Sequence, residues 1–275
     1  MKIAYVSFGT GGTLGHRTLL NKLKKKIGKE NLIILSEYYK KNIPTQKHSP
    51  SVGGNLKYIA SNKILDICVK KKVTHIIFST FFDERLVKDL IRRKIKTILF
   101  TYPLRDSFAL YHQVHGNYNL FDKVYILNDI FPDKYESFPH INLYDSKKKR
   151  VGKNIVLITC GGGGRPSANR FCEIVDKKFL PLLKNEEIKI ILGPYNNYKF
   201  ENLTKNVECI TSCAKLDGFY KNAKFVIGEA GYHTVQELLQ YQIPAFLIPG
   251  ERRIDNQEIR AIYFQKNNFG LCAFY

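Results

Sequence analysis

The sequence predicts an α/β protein made of two successive halves, each a parallel sheet flanked by helices. Three observations carry this reading. Short apolar runs alternate with segments of helical period along the whole chain. The pattern opens on a strand running into a glycine-rich loop at residues 2–15, and it restarts in the same way at residues 154–164. Between the two, residues 146–153 carry four consecutive basic residues and Gly152, which reads as a linker. The expected domains are therefore residues 1–146 and 151–275.

In the first half, residues 2–8 form a short apolar strand that ends in the glycine loop. Residues 18–27 read as an amphipathic helix and 31–35 as the next strand. A polar stretch with Pro44, Pro50, Gly53 and Gly54 forms a long loop before a helix at 56–69. A strand at 75–79, a helix at 83–93 and a strand at 97–101 follow. Aromatic-rich helical sequence begins at Ser107, and 123–127 is another strand. In the second half the strand at 154–159 runs into Cys160 and four glycines. Pro166 stands where a first helical turn tolerates proline, and the helix continues to about 183. Strands at 188–192 and 207–211 lead to an apolar run at 224–227 that breaks at Gly228 and Gly231. Residues 233–239 then read as helix, with Val235, Leu238 and Leu239 on one face. A run at 245–248 is boxed by Pro244 and Pro249, a helical segment starts near Asn256, and 271–275 is a last strand. Strands joined by helices of this length give βαβ units and parallel pairing.

A length of 275 residues suits one large or two modest domains. The net charge of +20 is the compositional outlier, with clusters at 24–26, 70–72, 92–94 and 147–150. Such charge favours anionic lipid, nucleic acid or phosphorylated substrates, with solvated helix ends as the plain alternative. No zinc-finger spacing or aromatic RNA-binding motif accompanies it, so nucleic acid is not an expected partner. Cys68, Cys160, Cys172, Cys209, Cys213 and Cys272 mostly fall in apolar segments, and Cys209 with Cys213 has no second pair to complete a zinc site. No metal site and no cofactor are expected. With no signal peptide and no apolar run near the ~18 residues of a membrane span, the expectation is a cytoplasmic protein. Any membrane contact would be peripheral, at an anionic inner face.

The stretch from Gly228 to Ala261 concentrates the chemistry. Strand, glycine turn, helix, strand, polar loop and helix succeed one another, and in a parallel sheet both turns lie at the carboxyl edge. Helix-start amides attract phosphate there. Glu237, one turn into the first helix, stands to accept from hydroxyls. A ligand carrying phosphate and sugar hydroxyls suits this arrangement. The first loop, with Gly9, Gly11, Gly12 and Gly15, also allows a nicotinamide-cofactor reading, with Glu37 near the end of the second strand taking a ribose hydroxyl. His16 closes that loop, and an imidazole titrating near neutrality could deprotonate an acceptor hydroxyl or a water.

These residues resemble the glycosyltransferases with two Rossmann-like domains facing across a cleft (the GT-B type). The similarity is to family 28, which includes the peptidoglycan enzyme that transfers N-acetylglucosamine from its UDP-sugar. The motifs that carry it are residues 9–16, 160–164 and 228–261. The resemblance implies an inverting, metal-independent transferase with a UDP-sugar donor and an acceptor the sequence does not identify. It implies that Gly12, Gly162, Gly163 and His233 lie toward the donor, the latter three at its diphosphate, and that Glu237 holds the ribose. Leu216 falls where the base is held, Asn256 and Gln257 fall at the donor sugar, and His16 is the catalytic base. Two departures are visible: Gly163 stands where the family often has a hydroxyl residue, and Glu229 where the peptidoglycan enzyme has a basic one. A nucleotide-sugar hydrolase using the same donor site, or a non-catalytic nucleotide-binding subunit, are the alternatives.

Overall fold

Runs such as Ile3–Val6 and Ile155–Thr159 are buried at every residue, the mark of strands covered on both faces. They form the centres of two parallel sheets. A computed structural model describes residues 1–6, 15–28, 31–35, 61–105, 117–131, 137–144, 146–194, 196–211, 213, 216–252 and 254–274, with backbone only for 15–17, 61 and 62.

The first sheet contains β1 (Ile3–Val6), β2 (Leu32–Ile34), β3 (His75–Ser79), β4 (Lys96–Thr101), β5 (Lys123–Leu127) and β6 (His140–Ile141). Their order is β2-β1-β3-β4-β5-β6, parallel throughout. Its helices are α1 (Gly15–Ile27), α2 (Ser61–Lys70) and α3 (Glu84–Arg92). Helix α3 starts at Asp83, whose carboxylate accepts from the N–H groups of Arg85 and Leu86 at 2.9 and 3.2 Å. It buries Leu86, Val87 and Leu90. Asp122 joins β4 to β5 by accepting from the Thr97 N–H at 2.8 Å and from Lys96. Helix α1 begins earlier than the sequence suggests, so Gly15 and His16 lie in its first turn and not in the glycine loop. Gly12 and the His16 side chain lie outside the described residues.

At the end of β3 the backbone bends through a three-residue turn. Phe81 N–H donates to Ser79 O at 2.7 Å across Thr80, whose φ is +63°. A β-branched residue in the left-handed region is strained. The Thr80 hydroxyl is buried and has no partner.

The second sheet contains β7 (Ile155–Thr159), β8 (Glu187–Ile191), β9 (Val207–Ile210), β10 (Ala223–Gly228), β11 (Ala245–Leu247) and β12 (Gly270–Cys272). The order β12-β11-β10-β7-β8-β9 reverses between β7 and β10. Read from the other edge, the strands run third, second, first, fourth, fifth, sixth, the doubly wound order whose ligands bind at that reversal. Alternation along β7 feeds two cores. Val156 and Ile158 pack with Phe171 and Cys172 of α4 (Pro166–Ile174). Leu157 faces the other way, toward Tyr220 of α5 (Asp217–Asn222), Val235 and Leu238 of α6 (Tyr232–Tyr241), and Phe264 of α7 (Gln257–Lys266). Helix α4 runs on through a π turn at Val175–Phe179 and a tighter turn at Leu180–Leu182, in keeping with one helical segment to about 183.

The contacts divide the chain into two units, with residues 129–131 and 144 onward in the second. The segment read as a linker is tied down within that unit. Lys148 N–H donates to Gln240 O at 2.8 Å, Val151 N–H to Lys221 O at 2.9 Å, and Asn154 N–H to Asn222 O at 3.0 Å. Lys148 Nζ also meets Asp217 at 2.5 Å. Four adjacent basic residues suggest a solvated linker; backbone pairing with α5 and α6, invisible in composition, makes the segment part of the second unit.

Candidate functional site

At the reversal in the second sheet, the loop after β7 and the turn after β10 leave adjacent strand ends. Gly161 and Gly163 have φ of +68° and +74°, and Gly193, after β8, has +81°. A Cβ on Gly163 would stand 2.3 Å from Leu192 O, and one on Gly193 would stand 2.4 Å from Gly161 O. The two loops therefore interlock backbone against backbone. A Cβ on Gly161 would meet nothing within 4 Å, so that glycine is open. Gly162 is half-buried and Gly163 buried. Of the two glycines predicted at a diphosphate, only Gly162 keeps an accessible surface.

The turn after β10 carries Glu229, only 4% exposed. Its carboxylate meets Arg252, from the loop after β11, at 2.6 Å. Arg252 also donates to the Ser167 hydroxyl, at the start of α4, at 2.6 Å. Burial pushes the Glu229 carboxyl up, and Arg252 opposes that shift. Gly250 completes the knot, since a Cβ there would fall 2.6 Å from Glu229 Oε1. A cavity of about 490 Å³ opens beside it, lined by Arg165, Ser167, Arg170, Glu229, Gly250 and Arg252 among others. The acidic departure at position 229 thus has a physical role: it holds a guanidinium from another loop at this edge.

Helix α6 opens at Gly231 without a side-chain cap, which leaves its first amides to water or to a ligand. His233 is its second residue and Glu237 follows one turn later on the same face. The Glu237 carboxylate accepts a hydrogen bond from the hydroxyl of Tyr220, a fully buried residue of α5. His233 Nδ1 lies 2.6 Å from the Tyr144 hydroxyl. Leu216 precedes α5, and its carbonyl accepts from Phe219 and Tyr220 N–H at 3.0 Å each, so its backbone oxygen is committed to the helix.

Asn256 caps α7 and Gln257 begins it; both are buried. Gln257 Oε1 accepts the Gly250 N–H at 2.8 Å. Its amide nitrogen lies beside Gly231, 3.8 Å from where a Cβ would sit. The amide nitrogen gives Gln257 two N–H donors on that side.

Below this edge lies Arg260, wholly buried. It donates to both carboxylate oxygens of Asp129 at 2.7–3.0 Å, to Asp255 at 2.8 Å and to Ala230 O at 2.7 Å. Its guanidinium also stands 5.7 Å from the Phe131 ring and 5.9 Å from that of Tyr232. Burial raises the Asp129 carboxyl and the guanidinium opposes it. One cation thereby pins the turn after β10, the loop after β11 and the short 129–131 segment.

The structure thus gathers Gly162, His233, Glu237, Asn256 and Gln257 on loops and helix starts at one sheet edge, while Leu216 precedes α5 and packs against the core under it. Sequence reasoning missed Tyr144, Tyr220, Arg252, Arg260 and Asp129. Arg260 lies inside the Asn256–Ala261 motif, yet nothing local signals its partner 131 positions away. Among the described residues no group of three or more His, Cys, Asp or Glu side chains could hold a metal ion. No helix among them is long and apolar enough to cross a membrane.

Comparison with known proteins bears mainly on the second half. Residues 155–275 match the glycosyltransferase family 28 C-terminal domain. The second half of this glycosyltransferase is therefore similar to family 28. A curated UDP-N-acetylglucosamine–N-acetylmuramyl-(pentapeptide) pyrophosphoryl-undecaprenol N-acetylglucosamine transferase of Leptospira interrogans is 24% identical, over 98% of this chain and 85% of its own length. The same-named protein of Thermosipho melanesiensis is 27% identical over 48% of this chain and 38% of its own. Among solved structures, Acinetobacter baumannii MurG covers 99% of this chain and 85% of itself at 14% identity, with a TM-score of 0.63. The glycosyltransferase SnogD of Streptomyces nogalater covers 100% and 87% at 12% identity, TM-score 0.62. LpCGTa in complex with UDP covers 99% and 86% at 10% identity, TM-score 0.61. The fold of this glycosyltransferase is therefore of the GT-B type, two parallel-sheet α/β units.

Proposed function

We propose that this glycosyltransferase takes its sugar from a UDP-linked donor bound at the carboxyl edge of the second sheet. Residues 151–275 are the donor-binding domain and 1–146 the acceptor domain. The observation that carries the reading is Glu237: a carboxylate held by a buried tyrosine hydroxyl, one turn into a helix whose uncapped start follows a glycine turn. A ribose diol donates to that carboxylate. The diphosphate lies on the first amides of α6 and at Gly162, with His233 beside it, where the helix dipole favours negative charge. Gln257 and Asn256 face the donor sugar, and Leu216 borders the base. The UDP bound to LpCGTa and the donor named in the Leptospira enzyme support this choice of ligand.

Transfer is a single displacement with inversion. An acceptor hydroxyl, deprotonated by His16, attacks the anomeric carbon, the glycosidic C–O bond breaks, and the electron pair leaves on the diphosphate. Preorganised amides, with no metal ion, stabilise the leaving charge. The reaction takes place in the cytoplasm, and the lysine-rich surface meets an anionic membrane carrying a lipid-linked acceptor like that named for the Leptospira enzyme.

Thermal unfolding against UDP-, GDP-, dTDP- and CMP-sugars, NADH and NADPH tests the donor. A ligand at 100 times its dissociation constant adds about 2.7 kcal/mol. Stabilisation by a UDP-sugar, lost in Glu237→Ala, is expected; stabilisation by NADH or NADPH alone would overturn the reading.

A further inference from the structure

We propose that Tyr144 is a positioning residue for sugar transfer: it holds His233 in the tautomer protonated on Nε2, so that the imidazole offers an N–H to the donor's diphosphate at the start of α6. The inference rests on the donor reading above and adds a residue from outside every glycine loop and helix of that site.

The geometry begins with the 2.6 Å contact between the Tyr144 hydroxyl and His233 Nδ1. Two groups share one proton there, and the surroundings decide which of them gives it. Tyr144 is 7% exposed, and it meets Tyr232 edge-to-face with ring centroids 6.3 Å apart. Burial, followed by the charge of Glu237 and the neighbouring Tyr232 and Tyr220 hydroxyls, holds its phenol well above the usual range. Tyr144 therefore stays a neutral phenol, with its hydroxyl proton available to His233 Nδ1 at 2.6 Å. His233 is the second residue of α6, at the positive end of the helix dipole. A neutral imidazole that accepts at Nδ1 carries its only proton on Nε2. Turned the other way, with Nδ1–H donating to the phenol, Nε2 would present a lone pair to an anion and repel it. The phenol thus selects the form that can donate to a phosphate oxygen as leaving charge develops.

The test is ¹⁵N NMR of His233 in the ligand-free protein, paired with transfer kinetics. Nδ1 is expected unprotonated and Nε2 protonated, and Tyr144→Phe, which keeps the ring, is expected to give a mixture of tautomers. In the same variant kcat falls roughly tenfold while KM for the UDP-sugar stays within about twofold, the size of one hydrogen bond to a charged group felt mainly in the transition state. An Nδ1-protonated ring in the wild type, or an unchanged kcat in Tyr144→Phe, would overturn the proposal. His233→Gln supplies a second check: its amide N–H does not depend on Tyr144, so adding Tyr144→Phe should cost nothing more. A persisting tenfold loss would mean that the phenol acts through packing. UDP titration separates the two readings. Shifts in α6 that leave His233 Nε2 unmoved overturn the contact proposed here, whereas no shift anywhere in α6 overturns the donor site itself.

Discussion

Arg260 and Asp129, 131 residues apart in sequence, form a two-pronged ion pair with both side chains fully buried. The pair joins α7 to the short segment after β5 that the second unit takes from the middle of the first. Removing the Asp129 charge leaves the buried Arg260 with Asp255 as its remaining carboxylate, which costs up to about 3–5 kcal/mol. Asp129→Asn should therefore lower the stability of the second unit by up to that amount, measured by denaturant unfolding. A loss under 1 kcal/mol would mean that the pair is not buried in solution.

Glu237 is expected to matter for the donor and little for folding. Glu237→Gln should weaken UDP binding roughly tenfold or more, read by calorimetry. Tyr220→Phe, which removes only the hydroxyl that orients the carboxylate, should weaken it by a smaller factor. Equal affinity in all three proteins would place the ribose elsewhere.

The glycines of the second loop are not interchangeable. Gly163→Ala drives a Cβ into Leu192 O and Asn196 and should destabilise the second unit by more than 2 kcal/mol. Gly161→Ala meets open space and should cost only the left-handed backbone, about 1 kcal/mol. Thermal unfolding of the two variants under identical conditions ranks them, and the reverse ranking would refute the interlocked loops.

Thr80 offers the opposite sign. Its φ of +63° suits glycine, and its hydroxyl has no partner to lose. Thr80→Gly should leave the protein about 1 kcal/mol more stable or unchanged, after the added freedom of the unfolded chain is counted. A large loss would show that the threonine methyl, and not the turn, decides the site.

Acid should loosen the second unit through Asp217 and Asp176. Lys148 and Tyr241 hold the Asp217 carboxyl below its ordinary range. For Asp176, burial alone would raise the carboxyl, but the N–H groups of Glu201 and Asn202, the Asn202 side chain and the Tyr198 hydroxyl outweigh it and lower the net value. A carboxylate depressed in the folded state contributes stability above its unfolded pKa of about 3.9, and that contribution is lost as pH falls through the folded value. Stability should therefore decline below about pH 4. The decline should shrink in Asp176→Asn, whose side chain no longer titrates, as followed by unfolding at several pH values.

How much of the molecule was legible in the sequence follows from which interactions are local. Apolar alternation with helical segments predicted the α/β class and nearly every described strand, because strand burial and helix amphipathicity are periodic over a few residues. The glycine turns and the helix carrying Glu237 were legible for the same reason. Helix α1 was misplaced by three residues, since Gly15 and His16 read as the end of the glycine loop. The loop composition at 146–153 pointed to a linker, and only pairing with α5 and α6 revealed a docked strap.

What the sequence by itself determined, then, is the fold class, the two sheets and the family's motif positions. What only the tertiary structure decided is the state of the groups at the site. Gln257 is fixed in orientation because Gly250 N–H donates to its oxygen. Glu229 holds a cation because Arg252 reaches it from another loop. His233 and Glu237 are oriented by Tyr144 and Tyr220, which approach from other parts of the chain. Hydrogen bonds and buried ion pairs act over about 3 Å in space with no constraint on separation along the chain, so no local pattern announces them.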